Sequence, residues 1–392
     1  MGPPLITSKT IYKYTLPKKR VNKTILTITT LIGTIMGAGF LGLPYVASQP
    51  GIKIALFELV LIGALMTFVM LGLGEVILRT KEKHQLTGYA ERYLGPTGKK
   101  MMAASMIIGI YAALLAYLIA ESQSLSFIIA STFNQSIRWG IAFWAFVAII
   151  TYGGLKSVKK AEFIGVALVL ATLGIITIIA FPEIKVENVM YTNMSNWAAP
   201  LGVIIFSLLG YSALPEAREL QGSHARTLKK SIILAYLIVI VTYSVFTVLI
   251  IGTLGTKIPE VATLTFGRRF AAMGVITMLT AYLALATALI DMLRYDYGWH
   301  RKQAWALTSS VPLALFALVS LTHLASFTLI LEIGGLVSGG LTLIMMVMMV
   351  KKAKERGNRK PEYQLPNIPG LGILLTLVFI TITLIELAAL AT

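Results

Sequence analysis

Eleven long apolar runs limit what this chain can fold into. They lie at roughly 24–48, 52–79, 101–130, 139–153, 160–180, 198–220, 230–252, 266–293, 303–320, 324–350 and 369–391. A helix rises about 1.5 Å per residue, so about 20 apolar residues cross a bilayer core. Membrane barrel strands alternate apolar and polar residues over about ten positions. These runs are apolar on all sides, which predicts helices. The expected fold class is an all-α integral membrane protein with 11 transmembrane helices, of which the fourth is the shortest. The stretch after the polar first 23 residues is too long for a signal-peptide core and is read as the first span.

Of the 392 residues, 56% are hydrophobic and 13% charged, with a formal net charge of +17. Mean hydropathy is +0.79. A basic balance of this size suggests a nucleic-acid binder, but the position of the bases points elsewhere. With the N-terminus cytoplasmic, 28 of the 34 lysines and arginines fall on the inner face. Only Lys53, Arg138, Lys185, Lys257, Arg268 and Arg269 fall outside. The positive-inside rule thus predicts a multi-pass cell-membrane protein with a cytoplasmic N-terminus and an extracytoplasmic C-terminus. Its surroundings are the lipid bilayer, and no nucleic acid is expected. The absence of cysteine removes disulfides, thiolate metal sites and a cysteine nucleophile. There is no metal-spaced histidine pair, phosphate loop or nucleophile elbow, so no metal, no cofactor and no enzyme class is expected.

An offset of 171 residues aligns Gly39-Phe40-Leu41-Gly42-Leu43-Pro44 with Gly210-Tyr211-Ser212-Ala213-Leu214-Pro215. The same offset pairs spans one to five with spans six to ten. Five spans per unit is odd, so the second unit enters from the opposite side, as in inverted-repeat transporters. The expected organisation is a cytoplasmic tail at 1–23, a first repeat at 24–180 and an extracellular loop at 181–197. A second repeat at 198–350, a cytoplasmic basic loop at 351–368 and an extra helix at 369–392 follow.

The opening helix of each repeat carries helix-breaking residues. Gly37 and Gly39 each weaken a helix by about 1 kcal/mol relative to alanine. Pro44 and Pro215 cannot donate to the carbonyls four residues before them. Unwinding would leave half-helix ends at mid-membrane, with N–H groups suited to a carboxylate and carbonyls suited to an ammonium group or cation. The N–H groups of Ala38, Gly39 and Phe40, next to Gly37, are expected to hold a carboxylate. Carbonyls near Thr34, Ile35, Phe206 and Ser207, with Gly210 at the second break, are expected to hold an amino group. The alternative is that the glycines serve close helix packing.

Gly33 to Pro44, with its G-x-G-x-L-x-L-P run, resembles the first helix of permeases in the amino acid–polyamine–organocation superfamily. The likeness is nearest to the hydroxy/aromatic amino acid permeases and their auxin-permease-type relatives. Thr280-Ala281-Tyr282-Leu283-Ala284, continuing to Asp291, is similar to that family's eighth helix, and Pro200 to Pro215 to its sixth. The resemblance implies a leucine-transporter-type fold with discontinuous helices one and six, and cation-coupled amino acid uptake by alternating access. It also implies a cation position at the carbonyls of Gly33 and Met36 and the hydroxyl of Thr280. Ala281 stands where sodium-coupled relatives often have a second hydroxyl, which shifts the expected coupling ion from sodium to the proton. No lysine lies within Phe163–Ile179 to occupy that position, as one does in some proton-coupled relatives.

Carboxylates inside a membrane cost roughly 3 kcal/mol and default to function. Glu121 and Glu216 are the expected proton carriers; the alternative is structural pairing with hydroxyls or backbone. Glu58 and Glu332 also lie within spans, and Glu386 is near the outer end of the extra helix. Glu75 and Asp291 sit near inner helix ends, where solvation is expected. Tyr111, Tyr117, Phe206, Tyr211 and Tyr282 supply aromatic surface, either to a side-chain pocket or to ordinary packing. The function expected is proton-coupled symport of neutral, perhaps aromatic, amino acids. The alternatives are a sodium-coupled symporter and a membrane amino acid sensor.

Overall fold

The structure, a computed structural model, describes residues 22–153, 166–366 and 370–390, apart from 169, 172, 176, 179 and 223. Outside these lie the basic tail to residue 21, residues 367–369, and the start of the fifth expected span with Lys159 and Lys160. The described residues form helices and turns with no strand.

The first span is two helices, α1 (Lys23–Ile35) and α2 (Ala38–Ser48), set at 55° to each other. Then come α3 (Ile52–Leu78), α4 (Leu86–Leu125) and α5 (Ser136–Gly153). α4 starts well before the expected third span and turns at Gly95, whose φ of 79° suits glycine. Pro96 follows, at a position where its missing N–H costs little. A short α6 (Val186–Met190) precedes α7 (Leu201–Ser207) and α8 (Leu214–Gln221). The long helices α9 (Leu228–Leu254), α10 (Arg268–Tyr295) and α11 (Arg301–Thr322) come next. α12 (Phe327–Ile333) and α13 (Gly340–Arg356) are joined by a wide π turn at Gly334–Gly339, and α14 (Leu371–Leu390) closes the order.

Among the described residues, seven helices are long and apolar enough to cross a membrane, or eight counting the bent α1–α2 pair. The other three expected spans differ for separate reasons. The fifth begins outside the described residues. The sixth is divided into α7 and α8, each too short alone. The last offers a shorter apolar stretch, Gly372–Ile385.

Small residues let the inner helices touch. A Cβ on Gly335 would stand 2.1 Å from the Gly202 carbonyl oxygen and 3.0 Å from the Phe206 nitrogen, so α7 rests directly on the π turn. α14 packs on α13, where a Cβ on Gly340 would meet the Thr383 hydroxyl at 2.9 Å. Its other side, including Ile373 and Leu384, is exposed, as suits a peripheral helix in lipid.

Residues 357–366 form a strap across the end of α3. The Tyr363 hydroxyl donates to the Leu71 carbonyl (2.7 Å), and the Asn358 and Arg359 N–H groups donate to the Arg79 carbonyl. The Arg359 guanidinium donates to the Leu78 carbonyl (2.8 Å). The strap corrects the expectation for Glu75. This carboxylate is 1% exposed and is held by Arg79 (2.8 Å) and by the Leu365 N–H (2.7 Å) instead of by water. Asp291 is partly exposed, with Arg294 at 3.6 Å. On the adjacent loop, Glu82 is held below the usual carboxylate range by its own backbone N–H and by the Asn358 amide.

Gly335→Ala is expected to lower the melting temperature of the detergent-solubilised protein, because overpacking a fixed backbone contact costs about 1–3 kcal/mol. Gly153→Ala, where a Cβ meets nothing within 4 Å, is the control and should be neutral or stabilising. Equal melting temperatures for the two variants would refute the close α7 contact.

Candidate functional site

The two helix breaks face each other. α1 ends with the Met36 N–H still bonded to the Ile32 carbonyl at 2.8 Å. Gly37 then leaves helical geometry (φ −108°, ψ −145°), and its N–H turns back to the Ile35 carbonyl at 2.9 Å. The break thus falls at Met36–Gly37. Pro44 lies inside a continuous α2 and does not cause it. In the second half, α7 stops at Ser207, and a single 3-10 turn (Tyr211–Ala213) leads into α8. Pro215 sits in the first turn of α8, where helices accept proline readily.

Contacts between the breaks are reciprocal. A Cβ on Gly39 would fall 2.6 Å from the Ser207 Cα, and one on Gly210 would fall 2.5 Å from Ile35 Cγ1. Gly39 and Gly210 are the pair related by the 171-residue offset. Each is small because the other half's chain passes directly against it.

α9 supplies the groups that satisfy the broken backbone. The buried Tyr243 hydroxyl lies 3.0 Å from the Ile35 carbonyl oxygen and 3.0 Å from that of Ser207, bridging the C-terminal ends of α1 and α7. Two turns earlier on the same face, the Tyr236 hydroxyl donates to the Leu208 carbonyl at 2.9 Å. The Phe40 ring stacks on Tyr243 with centroids 5.8 Å apart and packs on Phe246 at 4.5 Å. Reading the sequence did not single out these tyrosines. Their seven-residue spacing was the available signal, but tyrosine in an apolar helix also reads as packing.

α4 covers the start of α2. The Tyr117 hydroxyl accepts from the Ala38 N–H, and a Cβ on Gly37 would fall 2.0 Å from its oxygen. Tyr117 also packs against Tyr282, which meets Phe143 edge-on at 5.7 Å. Glu121 lies one helical turn beyond Tyr117. It is fully buried, and neither carboxyl oxygen has a hydrogen-bond partner among the described residues.

The structure therefore gathers Ile35, Gly37, Ala38, Gly39, Phe40, Tyr117, Ser207 and Gly210 around the breaks. Other expected side chains are engaged elsewhere. The Thr34 hydroxyl donates to the Thr30 carbonyl (3.0 Å) and the Ser207 hydroxyl to the Ile204 carbonyl (2.9 Å), so both hydroxyl protons are used within their own helices. The Tyr211 hydroxyl is engaged by Ser338 and Thr342. Tyr111 donates to the Leu307 carbonyl at 3.2 Å. Phe206 packs against the position of Gly334. The Thr280 hydroxyl donates to the Thr277 carbonyl at 2.9 Å, and its lone pairs face away from that bond. Met36 is buried, and Gly33 is partly exposed on the last turn of α1. Glu216 sits in the first turn of α8.

Comparison with known proteins gives a consistent result. Residues 20–260 match the model of the tryptophan/tyrosine permease family. The "Tyrosine-specific transport system 1" of Haemophilus influenzae is 26% identical over 231 residues, covering 57% of this chain and 56% of that protein. The matched segment thus spans about half the length of that relative. "Glutamine transporter 2" of Aliivibrio fischeri is 22% identical over 283 residues, 69% of this chain and 73% of that protein. The crystal structure of MhsT in complex with L-phenylalanine superposes with a TM-score of 0.68 at 15% identity, over 93% of this chain and 98% of that one, and so shares the fold. With more than half its length matched by the family model, the chain belongs to the tryptophan/tyrosine permease family.

Proposed function

We propose that the chain is a secondary transporter that moves neutral, aromatic amino acids by alternating access, driven by protons. The observation that carries this reading is the meeting of the two broken helices. The start of α2 offers N–H groups at Gly39 and Phe40, which lack intrahelical partners and favour a carboxylate, beside the Ala38 N–H that Tyr117 engages. The ends of α1 and α7 offer the Ile35 and Ser207 carbonyls, which favour an ammonium group. A single tyrosine proton serves both carbonyls, so each keeps acceptor capacity for a ligand donor. The two poles match the ends of a zwitterion, and Tyr117, Tyr282 and Phe143 suit a flat side chain beside it. The names of the tyrosine-transporting relative and of the phenylalanine-bound structural neighbour agree with that choice. An arrangement of two inverted five-helix repeats accounts for the reciprocal glycine contacts.

Glu121 supports proton coupling. An ionised carboxylate without a partner is costly at membrane depth, which is why a buried acid with no hydrogen-bond partner among the described residues suits a proton-carrying role. Its place one turn from Tyr117, about 6 Å along the helix, puts the proton beside the carboxylate pole. Glu216, in the first turn of α8, is the second candidate carrier.

Proteoliposomes loaded at alkaline pH and diluted into acid should accumulate tyrosine, tryptophan or phenylalanine at least tenfold over vesicles without a gradient. Accumulation under a sodium gradient alone would move the coupling ion to Gly33, Met36 and Thr280. No accumulation of any amino acid under either gradient would overturn the transporter reading. Glu121→Gln should abolish pH-driven accumulation while sparing exchange of labelled for unlabelled substrate; an unaltered pH dependence removes Glu121 from the mechanism. Tyr243→Phe should lower uptake about tenfold or more and reduce thermal stability, since buried carbonyls left without a donor cost about 1–3 kcal/mol. Wild-type uptake and stability in that variant would show that the bridge is dispensable.

A further inference from the structure

A groove of ≈ 680 Å3 runs along the outside of the helix bundle, between α3, α14 and the start of α7. It lies apart from the helix breaks. Phe57 and Leu61 of α3, Leu377 of α14 and Trp197 are among the residues of its apolar walls. Phe57 and Leu377 are well exposed, so the groove opens sideways to the hydrocarbon. Two charged residues interrupt this lining, Lys53 at the rim and Glu58 deeper in. Glu58 is only 6% exposed, and its Oε2 has no hydrogen-bond partner among the described residues. No ion pair reaches it among the described residues. Lys53 is exposed, with its ammonium beside the Met190 sulfur at 3.4 Å. The two residues are five apart on one helix, about 7.5 Å along its axis.

This arrangement specifies a ligand. The walls take hydrocarbon chains. The lysine at the rim takes an anion at the level of the membrane interface, where long basic side chains reach the head groups. The carboxyl below it needs N–H donors, and a positive charge would offset the cost of ionising it in this setting. One molecule that carries acyl chains, a phosphate and a primary ammonium meets all three demands. We propose that this groove binds a phospholipid with a primary-amine head group, its phosphate on Lys53 and its ammonium on Glu58. A choline head group carries the same charges but no N–H donor and leaves Oε2 unpaired. A glycerol head group has donors but no cation. The proposal is independent of the transport reading, because none of its residues belongs to the helix breaks.

The test is native mass spectrometry of the delipidated full-length protein. Phosphatidylethanolamine, phosphatidylcholine and phosphatidylglycerol with identical acyl chains are supplied in equal amounts. The wild type should retain the ethanolamine lipid at least fivefold over the other two, with retention falling stepwise as the amine is methylated. Glu58→Gln should reduce retention of the ethanolamine lipid to the choline level. Lys53→Ala should lower retention of all three phosphate-bearing lipids alike. Equal retention of ethanolamine and choline lipids by the wild type would overturn the proposal, and so would an undiminished ethanolamine preference in Glu58→Gln. A dimer mass with no retained lipid would also overturn it, assigning the groove to a second copy of the chain. The head-group series uses only the wild type and is decisive even where Glu58→Gln fails to fold.

Discussion

A backbone carbonyl that has left its helix inside a membrane has no water to turn to, and leaving it unpaired costs several kcal/mol. The structure meets that constraint at the end of α7 by bringing in a second helix. α9 runs past both breaks and places Tyr236 against Leu208 and Tyr243 against Ile35 and Ser207. The two breaks are thereby brought within reach of one hydroxyl, Tyr243. Gly39 and Gly210 follow from this, since any Cβ there would push the two chains apart and break the shared contact. The positions of α1, α2, α7 and α9 thus form one linked solution to a hydrogen-bonding problem.

Sharing one donor between two acceptors has a chemical consequence. A phenolic hydroxyl has one proton, so Tyr243 serves only one of the two carbonyls 3.0 Å from it at a time. The Ile35 oxygen has a second source in the Gly37 N–H, whereas the bridge is the tie recorded at Ser207. The acceptor at the end of α7 is the more demanding of the two. An ammonium group, with three donors, can relieve both ends without displacing the tyrosine from either.

The features readable from the sequence were those written in local composition. Long apolar runs gave the helices, and paired glycine–proline clusters gave the two breaks. Their exact form was not local. Pro44 suggested the cause of the first break, yet α2 is continuous through it, and the chain leaves helical geometry seven residues earlier at Gly37. Glu75 near a helix end suggested solvation, whereas its partner at Leu365 lies 290 positions along the chain. Tyr243 looked like one more aromatic in a greasy helix. In each case the deciding atom belongs to a remote segment, and no local pattern announces it. Glu121 shows the reverse. A lone acid in an apolar run was conspicuous in sequence, and among the described residues neither of its carboxyl oxygens has a hydrogen-bond partner.

The polar ties outside the breaks are distributed unevenly, and this bears on which parts could shift in the proposed cycle. The end of α3 is fixed by the strap at 357–366 through several buried or half-buried bonds: Tyr363 to Leu71, Leu365 to Glu75, and Arg359 to Leu78. Bonds of this kind, shielded from water and partly charge-assisted, are expensive to break. The end of α8 is attached to the same region by Lys83 to Glu219 at 3.5 Å, with the lysine side chain 71% exposed. An exposed pair of this kind contributes about 0–1 kcal/mol and is screened by salt. α3 is therefore built as scaffold, whereas the end of α8 meets that region through an exposed pair and is tied to α9 by the buried Gln221 Nε2–Ser231 Oγ bond at 3.2 Å. A hinge already exists beside it, since the 3-10 turn at Tyr211–Ala213 separates α8 from α7. A swing of α8 about that turn would therefore cost far more at the buried Gln221–Ser231 bond to α9 than at the exposed Lys83 pair, so α8 and α9 are coupled at that end.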